Sequence, residues 1–168
     1  MNCVLDHTSG EFIKLVDHTI EPCRSCWACR KSGACVIDDD MSATIIPRLL
    51  EADAIVIGTP VYFNNVTAQL KAFIDRTWSI RGKLKDKVGA TVVVGRRYGA
   101  EGAVTAVNAF FLKHGMIVAN RGVSGIAFAP GEIEDDRESM EAAQRLGLRI
   151  LELCCALSAN EGSANAAG

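Results

Sequence analysis

The sequence predicts an α/β fold in which an open parallel sheet carries helices on both of its faces. Three observations point there. The runs Ala54-Ile55-Val56-Ile57-Gly58-Thr59 and Val88 to Val94 are continuously apolar, without the polar alternation of a strand that has one face in water. A segment of helical period follows each of them, which is the alternation that builds parallel sheets. No internal repeat or linker divides the 168 residues, so one domain over 1–157 is expected, with the small, polar, Gly/Ala-rich stretch 158–168 as a disordered tail.

Taken in order, Met1 to Gly10 has no convincing period, and Phe12 to Val16 alternates loosely enough to read as a short strand. His18 lies in the approach to a cysteine-rich loop at 22–37. Asp38-Asp39-Asp40 then suits a helix start, where carboxylates meet free N–H groups and the positive end of the dipole. That helix has apolar residues at Met41, Ile45, Ile46, Leu49 and Leu50, and Pro47 inside it predicts a kink or a late start. The loop Pro60 to Asn65 joins the first buried strand to a helix over 66–78. Leu70, Phe73, Ile74 and Thr77 share one face of it, and Lys71 and Asp75 stand at i,i+4. The second strand runs into the loop 95–102 and a helix over 103–114, which stops at Gly115 as a left-handed cap with Lys113 and His114 placed for the dipole. Ile117 to Ala119 begins a third strand, with 125–129 as a short extension. Glu132, Glu134, Asp135 and Asp136 open a last helix to about Leu157, striped by Met140, Ala143, Leu146, Ile150, Leu153 and Cys154. Ligands of such sheets bind at the carboxyl ends of the strands beside the topological switch point, so 60–65 and 95–102 are the expected site.

The net charge of −2 and pI near 5.9 argue against a partner with a phosphate backbone, so no nucleic acid is expected. No uncharged apolar run approaches the roughly 18 residues that would cross a bilayer, and the N-terminus lacks a secretory layout. A soluble cytoplasmic protein without a membrane partner is the expectation.

Seven cysteines in a thiol-reducing compartment read as metal ligands or reactive thiols before they read as disulfides. Cys23, Cys26, Cys29 and Cys35 put four of them within thirteen residues, as Cys-x2-Cys-x2-Cys-x5-Cys closed by Gly33. A cubane iron–sulfur cluster needs four thiolates around one small volume, and compact runs supply them. Tetrahedral zinc accepts the same ligands, and unliganded redox thiols are the third reading. Arg24, Arg30 and Lys31 stand among the cysteines as cations beside an anionic centre or as solvated charges. Cys154 and Cys155 read as small core residues, and Cys3 carries no signal. In the first loop, Thr59-Pro60-Val61-Tyr62-Phe63-Asn64-Asn65 has two aromatics that serve either as ordinary loop packing or as a rest for a planar cofactor, and two asparagines able to take positive φ. In the second, Arg96 and Arg97 between glycines suit close backbone approach and an anionic ligand.

Pro22-Cys23 through Cys35, Asp39-Asp40-Met41, Ala52-Asp53, Gly58 to Phe63, Ala68-Gln69-Leu70-Lys71, Ile74-Asp75-Arg76, Gly95-Arg96-Arg97 and His114-Gly115-Met116 resemble the flavodoxin-like iron–sulfur flavoproteins, within the NADPH-dependent FMN reductases. The resemblance covers about residues 12 to 155 in unbroken order. It implies a flavodoxin-like sheet and a [4Fe–4S] cluster on Cys23, Cys26, Cys29 and Cys35. It also implies FMN lined by Thr59, Pro60, Val61, Tyr62, Phe63 and Asn64 on one side and Gly95, Arg96, Arg97 and Gly99 on the other. Electrons would pass between cluster and flavin, with a ferredoxin-like donor or NAD(P)H as redox partner, in a homodimer or homotetramer. No side chain would act as acid or nucleophile. The sequence departs from the family at its start: nothing before Phe12 supplies the first, central strand or the Ser-x-Arg-x-x-Gly-Asn-Thr loop whose N–H groups meet the FMN phosphate. The expectation is a fragment or late-start version of a longer protein, or else a variant with altered flavin binding. The competing functions are an NAD(P)H-dependent FMN or quinone reductase without a cluster and a non-enzymatic interaction module held by zinc.

Overall fold

The computed structural model of the chain describes residues 10–166, with side chains through Ala159. Two parallel strands form its centre. β1 (Ala54–Pro60) and β2 (Val88–Gly95) pair from Ala54 opposite Val88 to Pro60 opposite Val94. β3 (Ile117–Val118) pairs with the start of β2 and β4 (Val123–Ile126) with its end, both parallel, so they form one strand position interrupted at 119–122. The interruption has its own hydrogen bonds. Asn120 Oδ1 accepts the Gly122 N–H at 2.8 Å, and the Arg121 carbonyl accepts from Asn108 Nδ2 at 2.9 Å. Gly122 has φ 115, where a Cβ would also meet Val104 at 2.8 Å, so the chain turns there and resumes at 123 instead of the expected 125. Among the described residues β1 pairs with β2 alone. The expected lack of a first strand before Phe12 falls in part on residues 1–9, outside the described residues.

The described residues form five α-helices: α1 (Ala28–Ser32), α2 (Ile46–Glu51), α3 (Ala68–Arg76), α4 (Ala100–Lys113) and α5 (Arg137–Ala166). Side chains alternate across the strands, so the uniformly apolar runs serve two cores. Ile55 and Ile57 pack with Leu70 and Phe73 of α3 and Phe110 and Phe111 of α4. Val88 and Ala90, with Val56 and Val92, pack with Ala143, Leu146 and Ile150 of α5. Both faces are covered, as the sequence predicts. Gly89 lets α4 lie close to the sheet, because a Cβ there would meet the Phe111 ring at 2.6 Å.

Several elements differ from expectation. Phe12 to Val16 is not a strand; it leads into a 3₁₀ turn at Leu15–Asp17. Its alternation is nevertheless physical, since Ile13 and Leu15 pack against the α2–α3–α4 core while their neighbours face water. Before α2 the chain makes a wide π turn at Met41–Ile45, which buries both of those residues, and Pro47 falls in the first turn of α2, where its missing N–H is tolerated. α3 carries the expected Lys71–Asp75 ion pair at 2.6 Å and continues into a 3₁₀ turn at Thr77–Ile80. α4 begins at Ala100, earlier than expected, from Gly99 in the left-handed region. Gly115 is left-handed as expected, with φ 71. His114 is not a dipole partner on the surface: it is 6% exposed, with Nε2 3.0 Å from Thr77 Oγ1 and its ring edge-on to Phe110. The backbone of 158–166, expected to be disordered, continues α5 to Ala166. None of the described helices is long and apolar enough to cross a membrane.

Two outcomes follow for stability. Gly89→Ala forces Phe111 aside and lowers the unfolding free energy by about 1–3 kcal/mol, read from the urea midpoint. Burial lowers the His114 pKa, so just below its unfolded value of about 6.5 the unfolded chain binds the extra proton. The His114 contribution is therefore intact above that pH and is lost as pH falls through it; the urea midpoint drops between pH 7.5 and 5, with a flatter slope in His114→Gln.

Candidate functional site

The cysteine segment leaves the core at Glu21 and rejoins it at Ile37. Between them residues 22–36 are mostly exposed and turn tightly, with Ser25 and Trp27 at φ 53 and 60 and Gly33 closing α1 at φ 73. The Gly33 N–H donates to the Cys29 carbonyl at 2.9 Å. Trp27 anchors the middle, edge-on to Trp78 with centroids 5.9 Å apart, and Arg81 lies over the same Trp78 ring at 4.9 Å.

Both ends of the segment are fastened to one guanidinium. Arg76, the last residue of α3, has a side chain 0% exposed, and its partner Asp39 is 3% exposed. Arg76 Nη1 donates to the Glu21 carbonyl at 2.8 Å and to Asp39 Oδ2 at 2.6 Å. Nη2 donates to Asp39 Oδ1 at 2.9 Å, to the Ile37 carbonyl at 3.3 Å and to Ser42 Oγ at 3.1 Å. Asp39 Oδ2 in turn accepts the Glu21 N–H at 2.9 Å, and Asp40 Oδ2 accepts the Thr19 N–H at 2.7 Å. Burial by itself raises the Asp39 pKa, but the hydrogen bonds from Arg76 and the Glu21 N–H outweigh it and hold the carboxyl below its ordinary value. The acidic triplet is thus only in small part a helix cap. The Asp39 carboxylate is half of a buried ion pair, and Asp40, although at the N-terminal position, makes no side-chain cap bond.

Cys23 and Cys26 are exposed and Cys29 and Cys35 half-buried, all four as free thiols. Among the described residues no three His, Cys, Asp or Glu side chains stand close enough together to hold a metal ion. The donor set itself suits a thiolate-ligated centre: four thiols on a segment whose two ends, at Glu21 and Ile37, are held by the buried Arg76 cation. Of the cations expected nearby, Arg24 pairs with Glu21 at 3.0 Å, and Arg30 and Lys31 are exposed. Cys154 is half-buried, and burial raises its thiol pKa; Cys155, expected in the core, is exposed because its helical position points away from the α5 stripe.

The two loops beyond β1 and β2 come together. Tyr62 and Asn65 exchange backbone hydrogen bonds at 2.9 and 3.1 Å, with Phe63 and Asn64 between them at φ 47 and 64. Positive φ at both central positions makes a type I′ turn, a geometry that asparagine tolerates and a bulky aromatic does not favour. Phe63 is fully exposed, and Tyr62 is exposed beside it. Thr59 is buried, with Oγ1 donating to the Pro60 carbonyl at 2.8 Å, and the Val61 N–H donates to Val94 at 2.9 Å. A Cβ on Gly95 would meet Val61 at 3.0 Å, and one on Gly99 would strike the Asn64 backbone and Val61. These glycines bring loop against loop, where the sequence suggests close approach to a ligand. Arg96 donates to the Phe128 carbonyl at 3.0 Å and stacks 5.9 Å from its ring, whereas Arg97 and Tyr98 face solvent.

A parallel sheet with helices on both faces and paired loops at the carboxyl ends of neighbouring strands defines a flavodoxin-like α/β protein. The chain belongs to the NADPH-dependent FMN reductase family, whose profile matches residues 4–131. It is 40% identical over 154 residues to an iron–sulfur flavoprotein of Methanocaldococcus jannaschii, covering 85% of this chain and 79% of that one. It is 38% identical over 141 residues to an iron–sulfur flavoprotein of Methanosarcina thermophila, covering 80% and 72% of the two. Among solved structures, RosB with a bound flavin-derived intermediate superposes with a TM-score of 0.73 at 19% identity, over 99% of this chain and 79% of that one. The WrbA-like flavodoxin of Agrobacterium tumefaciens does so at 0.60 and 17% identity, over 90% and 87%. These two likenesses show the fold.

The strained aromatic yields a measurable outcome. Phe63→Gly relieves the left-handed conformation, offset in part by added freedom in the unfolded chain, and raises stability by about 0.5–1 kcal/mol in urea denaturation.

Proposed function

We propose that the chain is an iron–sulfur flavoprotein that passes electrons between a [4Fe–4S] cluster on Cys23, Cys26, Cys29 and Cys35 and FMN. The flavin is held by Thr59, Pro60, Val61, Tyr62, Phe63, Asn64, Gly95, Arg96, Arg97 and Gly99. The observation that carries this reading is the cysteine segment pinned at entry and exit by Arg76, in a chain whose relatives at about 40% identity are iron–sulfur flavoproteins. When bound, a cluster exchanges single electrons and a flavin one or two, so the protein's own part is binding, orientation and control of solvent.

The residues divide that work. Arg76 and Asp39 set the span between the two ends of the thiol segment, and Trp27 on Trp78 holds its middle to the body of the protein. The type I′ turn leaves Tyr62 and Phe63 exposed, where a planar ring would pack on them, and the exposed Arg97 guanidinium would supply positive charge for an anionic flavin edge. The redox partner is a ferredoxin-like donor or NAD(P)H, the assembly a homodimer or homotetramer, and the compartment the cytoplasm.

Purification without oxygen followed by metal, sulfide and flavin analysis tests this reading. About four iron and four sulfide per chain with FMN are expected, and substitution of Cys26 by Ser removes most of the iron while flavin stays. Flavin without iron would replace the reading with a cluster-free FMN or quinone reductase. Stoichiometric zinc without flavin would replace it with a zinc-held interaction module.

A further inference from the structure

We propose that Phe128 is a third wall of the planar-ring site and that Arg96 is its positioning residue, acting on a bound flavin through Phe128 and not by its own charge. The inference rests on the flavin half of the function proposed above. Three loops follow one another along the carboxyl edge of the sheet, after β1, β2 and β4. β4 runs beside β2 until Gly95 stands opposite Ile126, and the Ala127 N–H then donates to the Gly95 carbonyl at 3.1 Å. The chain after β4 therefore leaves the sheet against the start of the second loop, as the second loop lies against the first at Val61 and Asn64.

Phe128 is held there by charged side chains on both sides of its backbone. Its N–H donates to Glu132 Oε2 at 2.6 Å, and the same oxygen accepts the Ala129 N–H at 2.9 Å. Its carbonyl accepts from Arg96 Nη2 at 3.0 Å, and Asp136 Oδ2 accepts the Ile126 N–H at 3.1 Å. Hydrogen bonds to charged groups are the stronger class, so the backbone of 126–129 is fixed without help from the ring. Phe128 is 52% exposed and joins none of the core clusters among the described residues. The Arg96 guanidinium lies over the ring, 5.9 Å from its centroid, and about half of the residue stays open to solvent. A large apolar side chain held in water by a rigid polar scaffold fits a contact made with a ligand better than one made in folding, and a planar ring is the class that stacks on it. Arg96 gives a donor and its face to Phe128, whereas Arg97 is exposed and has no such partner among the described residues, so the anionic edge falls to Arg97.

The test titrates FMN, and riboflavin as the ring without the phosphate, into the full chain. Binding is read from the quenching of flavin fluorescence and from the shift of the visible absorption band. Phe128→Ala weakens both ligands about tenfold, the upper end of what one aromatic contact contributes, and reduces the spectral shift; Phe128→Tyr, which keeps an aromatic face, recovers most of the loss. Arg96→Ala weakens both by a similar factor, and the double variant binds no more weakly than Phe128→Ala alone, because an effect relayed through the ring cannot be lost twice. Arg97→Ala in the Phe128→Ala background weakens binding further. Unchanged binding in Phe128→Ala overturns the proposal, and an Arg96→Ala loss of equal size with and without Phe128 overturns the positioning role. If Arg96→Ala does not fold, Phe128→Ala against Phe128→Tyr decides the wall. A wild-type chain that binds neither ligand removes the flavin half of the proposed function and the wall with it, whereas wild-type binding that Phe128→Ala leaves untouched removes the wall alone.

Discussion

The buried ion pair between Arg76 and Asp39 is the interaction on which the site depends. It joins the end of a central helix to a residue 37 positions earlier in the chain, and it does so with both side chains out of water. Such a pair is poor evidence of net stability, because desolvating the two charges offsets much of their attraction. Its effect here is on position. Around it the backbone at Glu21 and Ile37 and the hydroxyl of Ser42 are brought within hydrogen-bond distance of one planar group. Removing either partner would leave a buried charge, at about 3–5 kcal/mol, and would release both ends of the cysteine segment together.

The same helix connects this clamp to the other proposed cofactor loop. α3 is capped at its start by Thr67, whose hydroxyl accepts the Leu70 N–H at 3.1 Å, two residues after the type I′ turn ends. It finishes at Arg76. Nine helical residues span about 12 Å, so one rigid element sets how far the clamp lies from the loop. Leu70 and Phe73 lock that element to the sheet through Ile55, Ile57 and Phe110. At the far end, close glycine contacts wedge the second loop against Asn64 and Val61. The left-handed Phe63 is what that wedge maintains, since an exposed aromatic has no packing of its own to hold it in a disfavoured conformation.

Much of this was legible in the residues. The strands Ala54–Pro60 and Val88–Gly95 could be read because burial on both faces removes the alternation of polar and apolar positions, and helices α3 and α5 because their apolar stripes repeat at helical spacing. The cysteines and the two loops stood out by composition. Arg76 did not, because sequence spacing alone says nothing of a contact made across 37 residues, and an arginine at a helix end has an adequate explanation in the dipole. The signal that existed was its place beside the buried face of Phe73 and Thr77, where a solvated charge would be out of keeping. His114 misled in the same way: a cation-capable residue before a left-handed glycine looks like a cap, and only tertiary packing shows it facing Thr77. The run at Phe12 to Val16 failed for a different reason, since a period of two reports which side chains are buried and not whether the backbone finds a neighbouring strand.

The division of the cysteine segment into fixed ends and an exposed interior bears on how a thiolate centre would assemble. Ligands gathered on a fully rigid scaffold must desolvate and repel one another before any metal arrives, whereas ligands on an unrestrained chain lose all their ordering entropy when it binds. Here the span from Glu21 to Ile37 is already set by Arg76, and Trp27 divides it into two shorter stretches. Cys29 and Cys35 are half-buried against the body of the protein, and Cys23 and Cys26 remain in water. Metal binding then has to order only the short exposed turns, in which left-handed Ser25, Trp27 and Gly33 already supply the reversals. The positions of the four thiols then follow from the chain between these fixed points.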